Sequence, residues 1–402
     1  MKTLTCDVLV IGAGPAGLSA SYSASCKGLD VIVVEKNKRI GQPVKTSALT
    51  WNEVVKEWVF DKSSIADYID KIILNYSPKK SEVVLNFDKV VGATLNYSVF
   101  LEQLANKTTD AGARLFLSSS FKKPFKVNGC ICGGEVNLNG NDTLIKAKIT
   151  IDASGPNAVL ARQTSDYLGN KYELGVGLEY EMENITNFPQ GAVGFYVGAD
   201  VVPVGYGWVF SSGAKRARIG VCTVYNTKEN IRSFSIRECL DNFLSPKSLI
   251  YNVIKNAKLV EEHGGNYALA SPLEKPYGAG YLVVGDAASH ASAMLGEGIR
   301  YALEFGKYAA ITSFDAILQG DVSENALASY DYSCKGYLGE KFCVAQDLLK
   351  PATNLYWEVV VKNLARLKRD DKLNLVLDYF KTNLDYKKAH FCFPEFSKYL
   401  GR

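Results

Sequence analysis

Val8-Leu9-Val10-Ile11-Gly12-Ala13-Gly14-Pro15-Ala16-Gly17 is the stretch that decides the fold. Four consecutive apolar residues read as a strand buried on both faces. The Gly-x-Gly-x-x-Gly turn follows at once, then an alanine-rich helical segment, then a second apolar run, Val31 to Val34, ending in Glu35. Strand, glycine turn, helix, strand and terminal acid make a dinucleotide-binding unit. Gly12 allows the tight turn, Gly14 lets backbone amides approach a pyrophosphate, and Gly17 lets the helix pack on the strand. Ala13, Pro15 and Ala16 complete the turn, whose free N–H groups favour an anion at the helix N-terminus. Glu35 can accept hydrogen bonds from adenosine ribose hydroxyls, and an acid there argues against a 2′-phosphate.

At 402 residues the chain predicts two or three domains. A 47% hydrophobic and 22% charged composition reads as globular. The net charge of +4 is small for this length and argues against nucleic acid as a partner. Lys2 ahead of an apolar stretch superficially resembles a signal peptide, but Asp7 and the glycines within it favour the nucleotide reading and a retained N-terminus. No apolar run approaches the roughly 18 residues of a membrane span. The nine scattered cysteines fit a reducing cytoplasm, with Cys130-x-Cys132 as the one candidate redox pair. Three distant histidines, His263, His290 and His390, offer little to a metal site, and no metal is expected.

Two later segments sharpen the reading. Ile149-Thr150-Ile151-Asp152-Ala153-Ser154-Gly155-Pro156-Asn157 is a strand entering a polar turn. Tyr281-Leu282-Val283-Val284-Gly285-Asp286-Ala287-Ala288 is a buried strand delivering Asp286 to the sheet's carboxyl edge, where a carboxylate can bind the hydroxyls of a ribityl chain. Gly296-Glu297-Gly298-Ile299 then opens a helix expected to run to about Ala310, its amides able to face the negative end of a flavin ring.

Together, Gly12-x-Gly14-x-x-Gly17, Asp152-Ala-Ser-Gly155 and Gly285-Asp286-Ala-Ala resemble the FAD-dependent oxidoreductases of the para-hydroxybenzoate hydroxylase fold, and within them most the geranylgeranyl reductase family. That family carries a Tyr-x-Trp-x-Phe-Pro signature, matched here by Tyr206-Gly207-Trp208-Val209-Phe210-Ser211. Its Gly-x-Pro-Val-Arg-Cys-Gly segment is matched by Gly41-Gln42-Pro43-Val44-Lys45-Thr46-Ser47. The resemblance spans about residues 5–320. Four departures stand out: Thr46 replaces the family's cysteine, Ser47 its glycine and Ser211 its proline, and Ala293 stands where a proline is usual. No mechanism that needs a thiol at position 46 can operate here.

The resemblance implies FAD held by Gly12, Ala13, Gly14, Pro15, Ala16, Gly17, Glu35, Lys36, Pro43, Val44, Gly155, Gly285, Asp286, Gly296, Gly298 and Ile299. It also implies reduction of isoprenoid carbon–carbon double bonds in a geranylgeranyl-type lipid or prenylated quinone. Rival readings are an FAD-dependent monooxygenase of an aromatic or quinone substrate, and a non-catalytic flavoprotein or electron carrier. No second nucleotide fingerprint is present, so electrons would come from transient NAD(P)H or from a redox partner such as ferredoxin.

The expected architecture is α/β plus antiparallel β. A Rossmann-like FAD-binding domain takes residues 1–69, 93–160 and 272–320; a discontinuous antiparallel-sheet substrate domain takes 70–92 and 161–271; and 321–402 form a helical C-terminal region. Strands are expected at Lys71–Tyr76, Glu82–Phe87, Gly175–Tyr180, Ala192–Val197, Tyr206–Phe210 and Arg218–Tyr225. Asn96–Ala111 reads as a helix, followed by a strand at Arg114–Leu117.

Tyr206, Trp208 and Phe210 alternate along a strand and so share one face, as an apolar substrate wall or as ordinary core. Tyr206, Trp208 and His290 are the candidate catalytic groups: the Tyr206 hydroxyl and the His290 imidazole as proton donors, with Trp208 as lining. Lys45 and Thr46 join the three aromatics as candidate substrate contacts. Between Leu355 and Phe380 apolar residues alternate with Lys362, Arg366, Lys368, Arg369 and Lys372. That pattern suits either peripheral contact with an anionic membrane or, as Asp370 and Asp371 favour, a docked helix with a solvated outer side.

Overall fold

The computed structural model describes residues 2–164, 173–226, 235–268, 272–292, 294–349 and 353–401. Two sheets organise it. The first is built on the strand Lys2–Ile11, whose Val8, Leu9, Val10 and Ile11 are buried because the sheet has neighbours on both faces. It pairs in parallel with Val31–Val34 on one side and with Asn141–Asp152 on the other. Arg114–Phe116 extends the parallel order beyond Val31–Val34, and Tyr281–Val283 lies beside residues 150–152. The same edge of Asn141–Asp152 carries, lower down, the antiparallel strand Cys130–Leu138 and, beyond it, Ser119–Val127.

Helix Pro15–Cys26 leaves the glycine turn and packs against Ile299–Gln319, which continues nine residues past the expected end. The two approach so closely that a Cβ at Gly306 would stand 2.4 Å from the Ala16 carbonyl oxygen. The helix expected near Asn96 spans Tyr97–Asp110.

The second sheet has seven strands, in the order Lys258–Ala268, Glu173–Glu183, Arg216–Asn226, Gly205–Ser211, Ala192–Val197, Lys71–Tyr76 and Ser81–Asn86. All pairs are antiparallel except Ala192–Val197 with Lys71–Tyr76. The period of two divides its faces. Val209, Ile219 and Val221 pack with Leu240 and Phe243 of the helix Ile236–Phe243, while Phe195, Trp208 and Phe210 point to the opposite face. The C-terminal helices cover part of that face: Phe380 meets Phe195 at a 5.3 Å ring separation. Thr353–Arg369 buries Tyr356, Trp357, Val360, Leu364 and Leu367 and turns Glu358, Lys362, Lys368 and Arg369 to solvent, so it is docked. It stops at Arg369, and Asp371, with φ 54°, takes the left-handed conformation before Leu373–Phe380 begins. Among the described residues no helix is long and apolar enough to cross a membrane. All nine cysteines are free thiols, Cys130 and Cys132 included.

Candidate active site

At the carboxyl end of the parallel strands, the glycine turn is held by close approaches. Gly12 has φ +103°, and a Cβ there would stand 2.5 Å from the Ala153 carbonyl oxygen; a Cβ at Gly17 would stand 1.9 Å from the Gly12 carbonyl oxygen. Gly14, by contrast, has no atom within 4 Å of a would-be Cβ and opens onto a cavity of about 330 Å³. Gly12 and Gly17 therefore shape the turn, while Gly14, Pro15 and Ala16 line the space. Glu35 is pinned beside it, its two oxygens accepting 2.8 Å hydrogen bonds from the Ala13 and Asn37 N–H groups. Lys36 and Asn37 continue that wall.

Across the cavity run Ser154, Gly155, Pro156 and Asn157, in a turn that Asp152 organises. The Asp152 carboxylate accepts hydrogen bonds from the Ser154, Leu160 and Ala161 N–H groups and the Ser154 hydroxyl. Gly285 and Asp286, from the turn after Tyr281–Val283, form the next part with Gly296, Gly298, Ile299 and Ala302. The Asp286 carboxylate has no hydrogen-bond partner among the described residues, and burial pushes its pKa up to about 6. A carboxylate so placed calls for hydroxyl donors from a ligand. With an open glycine turn at one end, a pinned ribose-type acid beside it and an orphan carboxylate farther along, the residues fit an extended flavin dinucleotide.

The same cavity continues into the second sheet, lined by Gly177, Glu179, Tyr206, Trp208, Cys222, His263 and Tyr267, with Lys45, Thr46 and Ser47 above them. A smaller cavity of about 50 Å³ adjoins it, formed by Trp51, Phe195, Phe210, Tyr206 and the 295–299 loop. The aromatic triplet thus does two jobs. Tyr206 and Trp208 face the large cavity and Phe210 the small one, while Trp208 and Phe210 are also core, 7% and 3% exposed. Lys45 is exposed at the rim, and the Thr46 hydroxyl accepts from the Ala48 N–H at 3.0 Å.

Other expected residues sit differently. Pro43 is exposed and Val44 buried, and neither lines either of these two cavities. His290 departs from its expected place facing a flavin: it is 1% exposed, lies edge-on to Phe305 at 4.5 Å and lines neither cavity. Burial drives its pKa down to about 3, so the ring is neutral at pH 7. The Tyr206 hydroxyl is already committed, donating to the Leu295 carbonyl at 2.6 Å, and burial raises its pKa well above that of an ordinary phenol. That leaves it poorly suited to give up a proton. Ala293 lies outside the described residues.

Sequence reasoning missed a buried polar group opposite the loop of residues 45–47. Glu179 accepts the Trp208 indole N–H at 2.8 Å through Oε2 and lies 3.0 Å from His263 Nδ1 through Oε1. Glu179 and His263 are direct cross-strand partners, each 3% exposed. His263 went unread because its strand, Lys258–Ala268, is polar, carries Gly264 and Gly265, and forms the sheet edge, so it lacks an apolar alternation. Cys222 was also missed. It supplies a cavity thiol, though not at position 46, and burial pushes its pKa up to about 11. Among the described residues no cluster of His, Cys, Asp or Glu is arranged to hold a metal.

Comparison with known proteins agrees with this geometry. Residues 7–175 match the FAD dependent oxidoreductase family and residues 173–266 the geranylgeranyl reductase catalytic domain. A digeranylgeranylglycerophospholipid reductase of Methanosphaerula palustris is 30% identical over 330 residues, covering 81% of this chain and 80% of that protein. The protein of the same name from Methanosarcina acetivorans is 32% identical over 323 residues, covering 79% and 77%. Among solved structures, a geranylgeranyl bacteriochlorophyll reductase-like protein of Thermoplasma acidophilum superposes with a TM-score of 0.84 at 23% identity, over 98% of both chains. A flavin-dependent brominase shares the fold at a TM-score of 0.75 and 15% identity, over 98% of this chain and 99% of the other. The chain belongs to the geranylgeranyl reductase family of FAD-dependent oxidoreductases.

Proposed function

We propose that this protein reduces carbon–carbon double bonds in the isoprenoid chains of a geranylgeranyl-type glycerolipid. The observation that carries the reading is the continuity of the cavity, which leads from the nucleotide turn past Asp286 directly onto the Tyr206 and Trp208 wall and the apolar side chamber. When bound, FAD in its reduced form supplies a hydride to one alkene carbon. The chain's own residues do the rest. The Gly14 and Ala16 N–H groups and the first turn of Ile299–Gln319 would bind and orient the cofactor. The aromatic wall and Phe195 exclude water and hold an apolar chain flat, so that the alkene is presented in one geometry.

Electrons would reach the cofactor from a transiently bound nicotinamide or from a small redox protein. Peripheral contact with a membrane belongs to the same reading, supported by exposed Lys368 and Arg369 and by exposed Leu355 on the helix Thr353–Arg369. The test is anaerobic incubation of photoreduced holoprotein with geranylgeranylated glycerophospholipid, followed by mass spectrometry. A gain of two hydrogens per reduced double bond is expected. Product formation that requires oxygen would overturn the reading in favour of a monooxygenase, and unaltered lipid under full reduction would favour an electron carrier.

A further inference from the structure

Reduction of an alkene needs a proton as well as a hydride, and the cavity wall contains a file of exchangeable groups, hydrogen-bonded at its inner link and in close approach at its outer one, that reaches solvent. At its outer end Glu261, whose side chain is 51% exposed, places Oε2 3.4 Å from His263 Nε2. That approach is misaligned for a hydrogen bond, so Nε2 is left without a donor or acceptor partner. On the other side of the ring, Nδ1 meets Glu179 Oε1 at 3.0 Å, and Glu179 borders the cavity. The file crosses from the edge strand to its neighbour at a single cross-strand pair.

We propose that Glu261, His263 and Glu179 relay protons from solvent to the cavity, with Glu179 as the catalytic acid that protonates the substrate alkene. The proposal rests on the prenyl-reductase reading. The O–H bond of Glu179 breaks as a C–H bond forms on the alkene carbon that does not receive the hydride, so the alkene gains two electrons and two hydrogens, the electrons coming from reduced flavin. His263 passes its Nδ1 proton to Glu179 Oε1. That leaves the ring protonated at Nε2 only; between turnovers a ring flip turns the bare Nδ1 toward Glu261, which passes it a proton from solvent and restores the doubly protonated ring. Trp208 acts as a positioning residue, because its indole N–H fixes the Glu179 carboxylate plane.

The charges facing the ring suit this use. Burial alone would pull the His263 pKa down, but Glu179 and then Glu261 outweigh it, with Arg218 opposing them; the net shift is upward. Arg218 is itself held by Glu181, at 3.6 Å, and by its hydrogen bond to the Ser47 carbonyl. A carboxylate hydrogen-bonded to an imidazole inside a wall of aromatics is suited to hand a proton to the cavity, and general-acid groups of this kind contribute about 10²–10⁴-fold to rate.

The chain has three histidines, so NMR of isotope-labelled histidine in the holoprotein gives three ring signals, assignable with His390→Gln and His263→Gln variants. His263 should titrate above an ordinary imidazole, and Glu179→Gln should lower its midpoint; an unchanged midpoint would overturn the coupling. In single turnovers with photoreduced protein, Glu179→Gln should slow lipid reduction on the order of 10²-fold or more while dithionite still reduces the bound flavin at the parent rate. Glu179→Asp should restore part of the loss, and His263→Gln should flatten the pH profile. Full turnover with an unaltered pH profile in Glu179→Gln would overturn the relay alone. Parent protein that leaves the lipid untouched would overturn the prenyl reading, and with it the role given to Glu179.

Discussion

Around the nucleotide turn, the groups facing the cavity are the backbone and small side chains of Gly14, Pro15 and Ala16, three consecutive positions held in place by Gly12 and Gly17. Around Glu179 they are side chains: Glu179, Trp208, Cys222 and His263 come from four different strands of one sheet. A backbone cradle demands particular conformations at fixed spacing and tolerates almost no substitution at its contact points. A side-chain wall demands only that the strands pair in register, and its chemistry can change one residue at a time. One fold can thus keep a fixed cofactor cradle while its reaction varies.

The strongest way to test that contrast is to press on the cradle. Gly17→Ala places a methyl 1.9 Å from a backbone oxygen that cannot swing away. The expected result is upward of about 3 kcal/mol lost and no folded flavoprotein recovered. Gly14→Ala meets nothing, so the protein should fold with an unchanged melting temperature but bind FAD on the order of tenfold more weakly. Equal behaviour of the two variants in flavin content and thermal unfolding would erase the distinction between shaping and contacting glycines.

On the side-chain half, Trp208→Ala removes an indole that a Cβ at Gly220 would approach to 2.4 Å and that packs beside Phe210. Urea unfolding should show a loss of about 3–5 kcal/mol. Trp208→Phe, which keeps much of the bulk and deletes the hydrogen bond to Glu179, should lose about 1.5–3 kcal/mol. A loss below about 1 kcal/mol for Trp208→Ala would mean the wall is free-standing lining rather than lining and core at once.

An effect that depends on pH sits where the halves meet, at Asp286. Its folded-state pKa, about 6, lies above its unfolded value, so the folded apoprotein holds that proton more tightly. The resulting stability is complete below about pH 4 and is lost as pH rises through 6, up to about 3 kcal/mol and less where cavity water screens the group. Thermal melts of apoprotein between pH 4 and 7 should show this slope, and Asp286→Asn should flatten it. An equal slope in both proteins would place the titration elsewhere.

The legibility of the molecule follows the same division. Gly12 to Gly17, Glu35 and Asp286 could be read in the sequence because each motif is local and its residue types are dictated by geometry. Trp208 and Phe210 could be placed on one face because a strand has period two, but the period cannot say that they would serve as core and lining together. Glu179 and His263 stand 84 positions apart and meet only through strand register, and the glycines and charges of 258–268 hide that strand. His290 misled because its nearness in sequence to Asp286 suggested nearness in space. The turn from Gly285 to Ala288 instead carries it back under Phe305.

The order of the strands has a consequence for biosynthesis. Tyr281–Val283 completes one flank of the nucleotide cleft beside residues 150–152, and Asp286 follows it directly. Most of the second sheet therefore leaves the ribosome before the first has all its strands. At about 5–20 residues per second, the chain spends roughly 15–60 s in synthesis before Asp286 emerges. During that interval the glycine turn exists without its partner across the cleft. A ligand that spans the whole cleft can therefore be captured only after the second sheet has been synthesised.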